Sequence, residues 1–185
     1  MNSGTFSGIT MRRPLGRAIA LMLCLVTGLG AASATLAQSG DVAVRGPVTN
    51  LPLPRFVSMK AAEGNVRRGP SLSHRIDWVF TRRDMPLEIT AEYGHWRRVQ
   101  DRDGIGGWIH YSLLSGNRTV IIDKDMLTLH SRPDETTPIT AALELGVVAR
   151  LGECNPDWCR LSSGGFKGWA KKDALWGVAP DEIRD

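Results

Sequence analysis

Cys154 and Cys159 flank Asn155-Pro156-Asp157-Trp158 and are the first residues to ask about chemistry. No second cysteine pair or nearby histidine completes a four-ligand metal set, and nothing in the sequence places a histidine base beside either thiol. In an exported chain this spacing reads as a disulfide pinning a hairpin. The enclosed loop is short, so the bridge contributes roughly 2 kcal/mol through loop closure. The four histidines, His74, His95, His110 and His130, have no ligand spacing with one another and read as solvated turn residues. Asp101 and Asp103 lie in a glycine-bearing turn, where aspartate is favoured for local hydrogen bonding. There is no Gly-x-Ser-x-Gly, no His-Glu-x-x-His and no phosphate-cradling loop. The residues therefore argue against an enzyme, a cofactor or a metal site.

Arg12, Arg13 and Arg17 precede an apolar stretch, Ala18 to Gly30, that is short for a bilayer span. Small residues follow, with cleavage favoured after Thr35-Leu36-Ala37 and Ala32-Ser33-Ala34 as the alternative. Residues 1–37 read as a secretory signal peptide. The expectation is a periplasmic or secreted protein with no stable membrane insertion after cleavage. Residues 1–37 hold three arginines and no acid, so their removal lowers the net charge from +4 to about +1. The basic balance is a targeting effect and gives no support to nucleic-acid binding, which needs a dense cationic face.

The elements that would position any site come in two copies. Trp96-Arg97-Arg98-Val99 followed by Gly107-Trp108-Ile109 is answered by Trp158-Cys159-Arg160-Leu161 followed by Gly168-Trp169-Ala170. Val66 to Pro70 answers to Leu129 to Pro133, and Leu114 with Gly116 to Leu175 with Gly177. The offset drifts from 63 to 62 to 61 residues, as expected if only turn lengths differ. Strands are expected at 56–60, 79–81, 87–90, 96–100 and 107–109, with 64–70 as a strand end and long turn. In the second copy they are expected at 120–122, 126–129, 139–143, 147–151, 158–162 and 166–170. Each copy of about 60 residues is marginal alone, so docking of the two would help. The proline-bearing segment 38–55 reads as a linker, extended as a spacer or laid as an arm on the first copy. Residues 56–117 and 118–177 are the two units, and 178–185 is expected to fray. The fold class is all-β: two tandem small barrels behind a signal peptide, closure removing exposed edges.

Asn65-Val66-Arg67-Arg68-Gly69-Pro70-Ser71, Trp96-Arg97-Arg98-Val99 and Gly106-Gly107-Trp108-Ile109 together resemble the bacterial SH3 domain family. The second copy resembles it in a divergent form, since His130-Ser131-Arg132-Pro133 lacks the Asn and the Gly. The resemblance implies SH3-like barrels in an exported, non-enzymatic binding protein. Its expected partner is cell-wall peptide, or a peptide segment of an envelope protein. The alternative it leaves open is an assembly module docked on an envelope protein. Trp78, expected in the long loop region, and Tyr111, in the closing turn, fall where SH3-like barrels line a ligand groove. With Trp96 and the cations Arg67, Arg68, Arg97 and Arg98 they form the candidate site for an extended peptide carrying carboxylates. Trp108 and Trp169 are expected in or against the cores, and Trp96 and Trp158 half exposed.

Overall fold

In the computed structural model, which describes residues 44–185, buried and exposed side chains alternate most clearly along Gly64–Arg67, Trp96–Gln100, Val148–Cys154 and Phe166–Lys171. The expected signal peptide and linker residues 38–43 lie outside the described residues. The first seven strands are β1 (Arg55–Met59), β2 (Gly64–Arg67), β3 (Ile76–Phe80), β4 (Pro86–Tyr93), β5 (Trp96–Gln100), β6 (Gly106–His110) and β7 (Leu114–Ser115). They form one sheet in the order β3-β2-β6-β5-β4-β1-β7 around Met59, Val66, Leu87, Val99 and Ile109. The second seven are β8 (Thr119–Ile122), β9 (Leu127–His130), β10 (Ile139–Leu143), β11 (Val148–Cys154), β12 (Trp158–Ser163), β13 (Phe166–Lys171) and β14 (Leu175–Trp176). Their order, β10-β9-β13-β12-β11-β8-β14, is the same topology, wrapped around Val120, Ile122, Leu129, Cys159 and Leu161. A short 3₁₀ turn precedes the last strand of each copy, at Tyr111–Leu113 and Lys172–Ala174.

The repeated Gly-Trp has a packing reason. A Cβ at Gly107 would sit 2.6 Å from the backbone oxygen of Arg67, and one at Gly168 would sit 2.6 Å from Thr140 Oγ1 and 2.9 Å from the His130 oxygen. Only glycine lets β6 and β13 approach their neighbours this closely. The segment expected as a strand end and turn at 64–70 instead begins with a strand of its own, β2, because its backbone pairs with β3 on one side and β6 on the other.

The two barrels are docked. Phe56 of β1 meets Trp176 of β14 edge to face at 5.3 Å, and the Arg118 guanidinium lies 5.6 Å from the Phe56 ring. Thr119 Oγ1 donates to the Asp84 carbonyl at 2.7 Å, and Arg102 pairs with Asp123 at 3.0 Å. The segment 178–185, expected to fray, is held down. Val178 is buried, Arg184 exchanges backbone hydrogen bonds with Cys154, and Glu182 takes a two-pronged contact from Arg118 at 2.7 and 3.0 Å. The physical reason is that a partly buried cation between the barrels, Arg118, captures the tail's carboxylate.

The described part of the linker is an arm on the first barrel, not an extended spacer. It turns at 46–50, and Arg45 and Pro52 form an antiparallel bridge. The turn is fixed by Glu92, whose side chain is buried and accepts from the N–H groups of Val48 (3.0 Å) and Thr49 (2.9 Å), from Thr49 Oγ1 (2.6 Å) and from Arg55 (2.6 Å). Burial alone would raise the pKa of Glu92, but these hydrogen bonds outweigh it and lower the pKa from 4.5 to about 2. A carboxylate whose pKa is depressed by folding adds stability above the unfolded value, 4.5, and loses that contribution as pH falls toward about 2. Glu92→Gln should therefore lower stability at neutral pH by about 2 kcal/mol, the scale of charge-assisted hydrogen bonds. It should also flatten the acid dependence below pH 4.5. Denaturant melts of both proteins across that range check it, and an unchanged acid slope would refute it.

Candidate functional site

Of the residues expected to form one site, Arg67, Arg68 and Trp78 fall in one group and Trp96 and Tyr111 in another. Arg67, at the end of β2, donates to the carbonyls of Leu72 (3.0 Å) and His74 (2.7 Å) and so fixes the loop after its own strand. Arg68 and Arg75 share Asp77, at 3.2 and 2.8 Å. The hydrogen bond from Arg75, followed by that from Arg68, holds Asp77 below the usual carboxylate range. Trp78 stands in β3 rather than in a loop, opposite Val66 and half exposed beside Ile76 and Val79. β3 is the edge of its sheet, which is why its side chains are left uncovered.

Trp96 and Tyr111 belong to the second group. The Trp96 ring meets His110 edge to face at 5.6 Å, and Tyr111 lies 5.0 Å from His110 and 5.7 Å from His95. Among the described residues no ring contact, hydrogen bond or ion pair joins this cluster to Arg67, Arg68 or Trp78. Arg97, expected among the cations of the site, is buried. It donates to the carbonyls of Gly94 and Trp96, both at 2.9 Å, and its Nε lies 3.5 Å from Glu92. Burial brings it to the carboxylate that the arm already surrounds, so it serves as an interior strut.

A concavity lies in the second barrel, in the place that corresponds to the Trp96 cluster. It is a groove of about 900 Å³ over Trp158, walled by Pro133, Pro156 and Pro180 and edged by Asp134, Glu135, Asp157 and Asp173. Trp158, expected half exposed, is buried, with only 9 % of its surface exposed. His130 meets its ring edge to face at 5.7 Å, and Lys171 Nζ lies 5.7 Å from the ring centroid. His130 is therefore no solvated turn residue. It is buried, with Nδ1 3.1 Å from the Thr137 carbonyl and Nε2 3.2 Å from Thr128 Oγ1. Lys171 also pairs with Glu135 at 2.5 Å, and that hydrogen bond raises its pKa. Trp108 and Trp169 are half-buried, while their neighbours Ile109 and Ala170 fill the cores.

Two copies of this topology, each with a tryptophan at the start of its fifth strand, agree with the family comparison. The bacterial SH3 domain model matches residues 60–116 and again 123–177. The chain belongs to the bacterial SH3 domain family. No curated protein matches it. Among solved structures, NlpC2 from Trichomonas vaginalis aligns with 66 % of the chain at 15 % identity and a TM-score of 0.32. NlpC1 from the same organism aligns with 71 % at 14 % identity and a TM-score of 0.32. The chain spans 48 % of the length of each.

For a bacterial SH3 pair, the groove in the second barrel is the feature that the sequence reading missed. Its signals were three prolines and the Lys171-Lys172 pair, which stands where the first repeat has His110-Tyr111. The hairpin beside the groove is closed by a Cys154–Cys159 disulfide, with the two Cα atoms 4.1 Å apart. A disulfide on a bacterial SH3 barrel fits an extracytoplasmic protein. Thiol titration of the native protein should find neither cysteine free. Replacing both by alanine should cost roughly 2 kcal/mol, from loop closure, in a chemical melt. Two titratable thiols at 154 and 159 would overturn the pairing.

Proposed function

We propose that this protein is an exported, non-enzymatic binding module, periplasmic or secreted, that holds cell-wall peptide in the groove of its second barrel. The observation that carries the reading is the groove over Trp158. It has the size of a ligand cleft, about 900 Å³, an aromatic floor, proline walls and both signs of charge at its edge. Prolines and a tryptophan offer flat apolar surface at low entropic cost, which suits an extended peptide. Peptide stems of the wall carry both carboxylates and amines, and the rim offers lysines and carboxylates to meet them.

A second reading, an assembly module docked on an envelope protein, is supported by a different surface. Leu72, Ile76, Trp78 and Val79 are all exposed on or beside β3 in the first barrel. Ile76, Trp78 and Val79 belong to this edge strand, so apolar side chains stand uncovered along it.

Co-sedimentation with purified cell-wall sacculi at low and high salt separates the two. Groove binding predicts pelleting at low salt that weakens with salt, since charges at the rim are screened. It also predicts that Trp158→Leu, checked for native circular dichroism, loses pelleting while Trp78→Ala keeps it. Loss in Trp78→Ala alone would move the site to the first barrel. No pelleting at any salt would sink wall binding and leave the assembly reading.

A further inference from the structure

Lys172 is the least expected residue of the groove. It begins the 3₁₀ turn of the second barrel, is only 7 % exposed, and lines the groove beside Pro180. Its ammonium donates to the carbonyl oxygens of Pro180 (3.2 Å) and Glu182 (2.6 Å). Among the described residues it has no carboxylate partner, because the Glu182 carboxylate is taken by Arg118 at 2.7 Å. A lysine ammonium has three N–H donors, and two neutral acceptors leave one donor and the whole charge unanswered. Buried charges are ordinarily paired, since desolvation of a lone ion is costly. The corresponding residue of the first barrel is Tyr111, so this cation is peculiar to the second.

The rim has the opposite sign. Glu135 is committed to Lys171 and Asp173 to Lys124. Asp157 has no ion pair among the described residues, and Asp134 accepts only from the Thr136 N–H and hydroxyl at 2.8 and 2.9 Å. Two carboxylates at the edge are thus free to receive a cation, above one buried cation that is free to receive an anion.

Building on the groove reading, we propose that Lys172 is a carboxylate anchor. The ligand is then a short peptide with a free carboxylate on Lys172 Nζ and a primary ammonium reaching Asp134 and Asp157. The carboxylate supplies the missing third acceptor and the counter-charge. The ammonium selects against peptides whose second charge is also negative, which the rim repels.

Calorimetric titration of the purified protein with three synthetic probes tests this. The probes are acetyl-Lys-Ala-Ala with a free C-terminus, the same peptide as its amide, and acetyl-Lys-Glu-Ala amide. The free acid is expected to bind at least tenfold tighter than its amide. If the glutamate amide matches the acid, Lys172 accepts either kind of carboxylate; if only the acid binds, the anchored group is a chain terminus. Lys172→Gln keeps donors for the two tail carbonyls and removes the charge. It is expected to bring the acid-to-amide ratio near one with an unchanged melting temperature. Should that variant not fold, the acid–amide comparison on the native protein decides alone. Equal binding of all three probes, or none at millimolar concentration, overturns the anchor. Sacculi that still pellet the protein in that case leave wall binding standing and refute only Lys172.

Discussion

The ion pair between Arg118 and Glu182 is the contact on which the arrangement of the molecule depends. Arg118 sits between the last strand of one barrel and the first strand of the next. From there it reaches the Gly177 carbonyl, the Glu182 carboxylate and the face of Phe56. Three segments distant in sequence are tied at one guanidinium, whose fixed fork of donors suits this kind of convergence better than a lysine would. Each barrel is of the size at which a single core is marginal, and the shared contact lets each borrow buried surface from the other. The tail follows from the same contact. Once Glu182 is captured, Pro180 is set beside Lys172, and the groove acquires its third proline wall. Remove the ion pair and the wall has little reason to be where it is.

The duplication shows how one scaffold position takes on different chemistry. In both barrels a tryptophan opens the fifth strand, and its opposite number on the sixth strand begins a pair of residues leading into the 3₁₀ turn. In the first barrel that pair is His110-Tyr111, whose rings pack on Trp96 and His95. In the second it is Lys171-Lys172, whose narrow stems leave the hollow open. Rings complete a surface; lysines leave a cleft with charge in its lining. The fold is indifferent to the choice, since both pairs stand outside the cores formed by Ile109 and Ala170. That indifference is why a small β-barrel says little about its ligand and its surface says more.

The architecture was legible in the sequence because it is written in period two and in repeated turn residues. The Gly-Trp pairs mark places where strands approach too closely for a Cβ, and such positions are visible without any structure. β2 and Trp78 were misplaced because an Asn-x-Arg-x-Gly-Pro run looks like a turn, while its first half is held extended by neighbours on both sides. Arg97 was read as a surface cation for a related reason. Strand alternation points it inward, and only Glu92, together with the arm that surrounds it, makes that tolerable. Long-range partners of this kind are not encoded in local spacing. The candidate site was less legible still, because it is assembled from a loop, a hairpin, a 3₁₀ turn and a tail.

These two polar clusters mark opposite uses of buried charge. Glu92 is saturated by Val48, Thr49 and Arg55, with Arg97 close behind, and its environment is complete without a ligand. A saturated buried carboxylate fixes a segment and gains nothing from a partner. Lys172 is equally buried but meets only carbonyl oxygens. Dipoles offset part of the desolvation cost of an ammonium without neutralising it. The difference lies in what each site lacks: the first lacks nothing, whereas the second lacks an anion and opens onto a groove large enough to admit one. A structural lysine needed only to pin the tail would do so as well from a position with a carboxylate beside it. Placing the bare charge in the lining of a proline-walled cleft makes sense when the counter-ion arrives from outside.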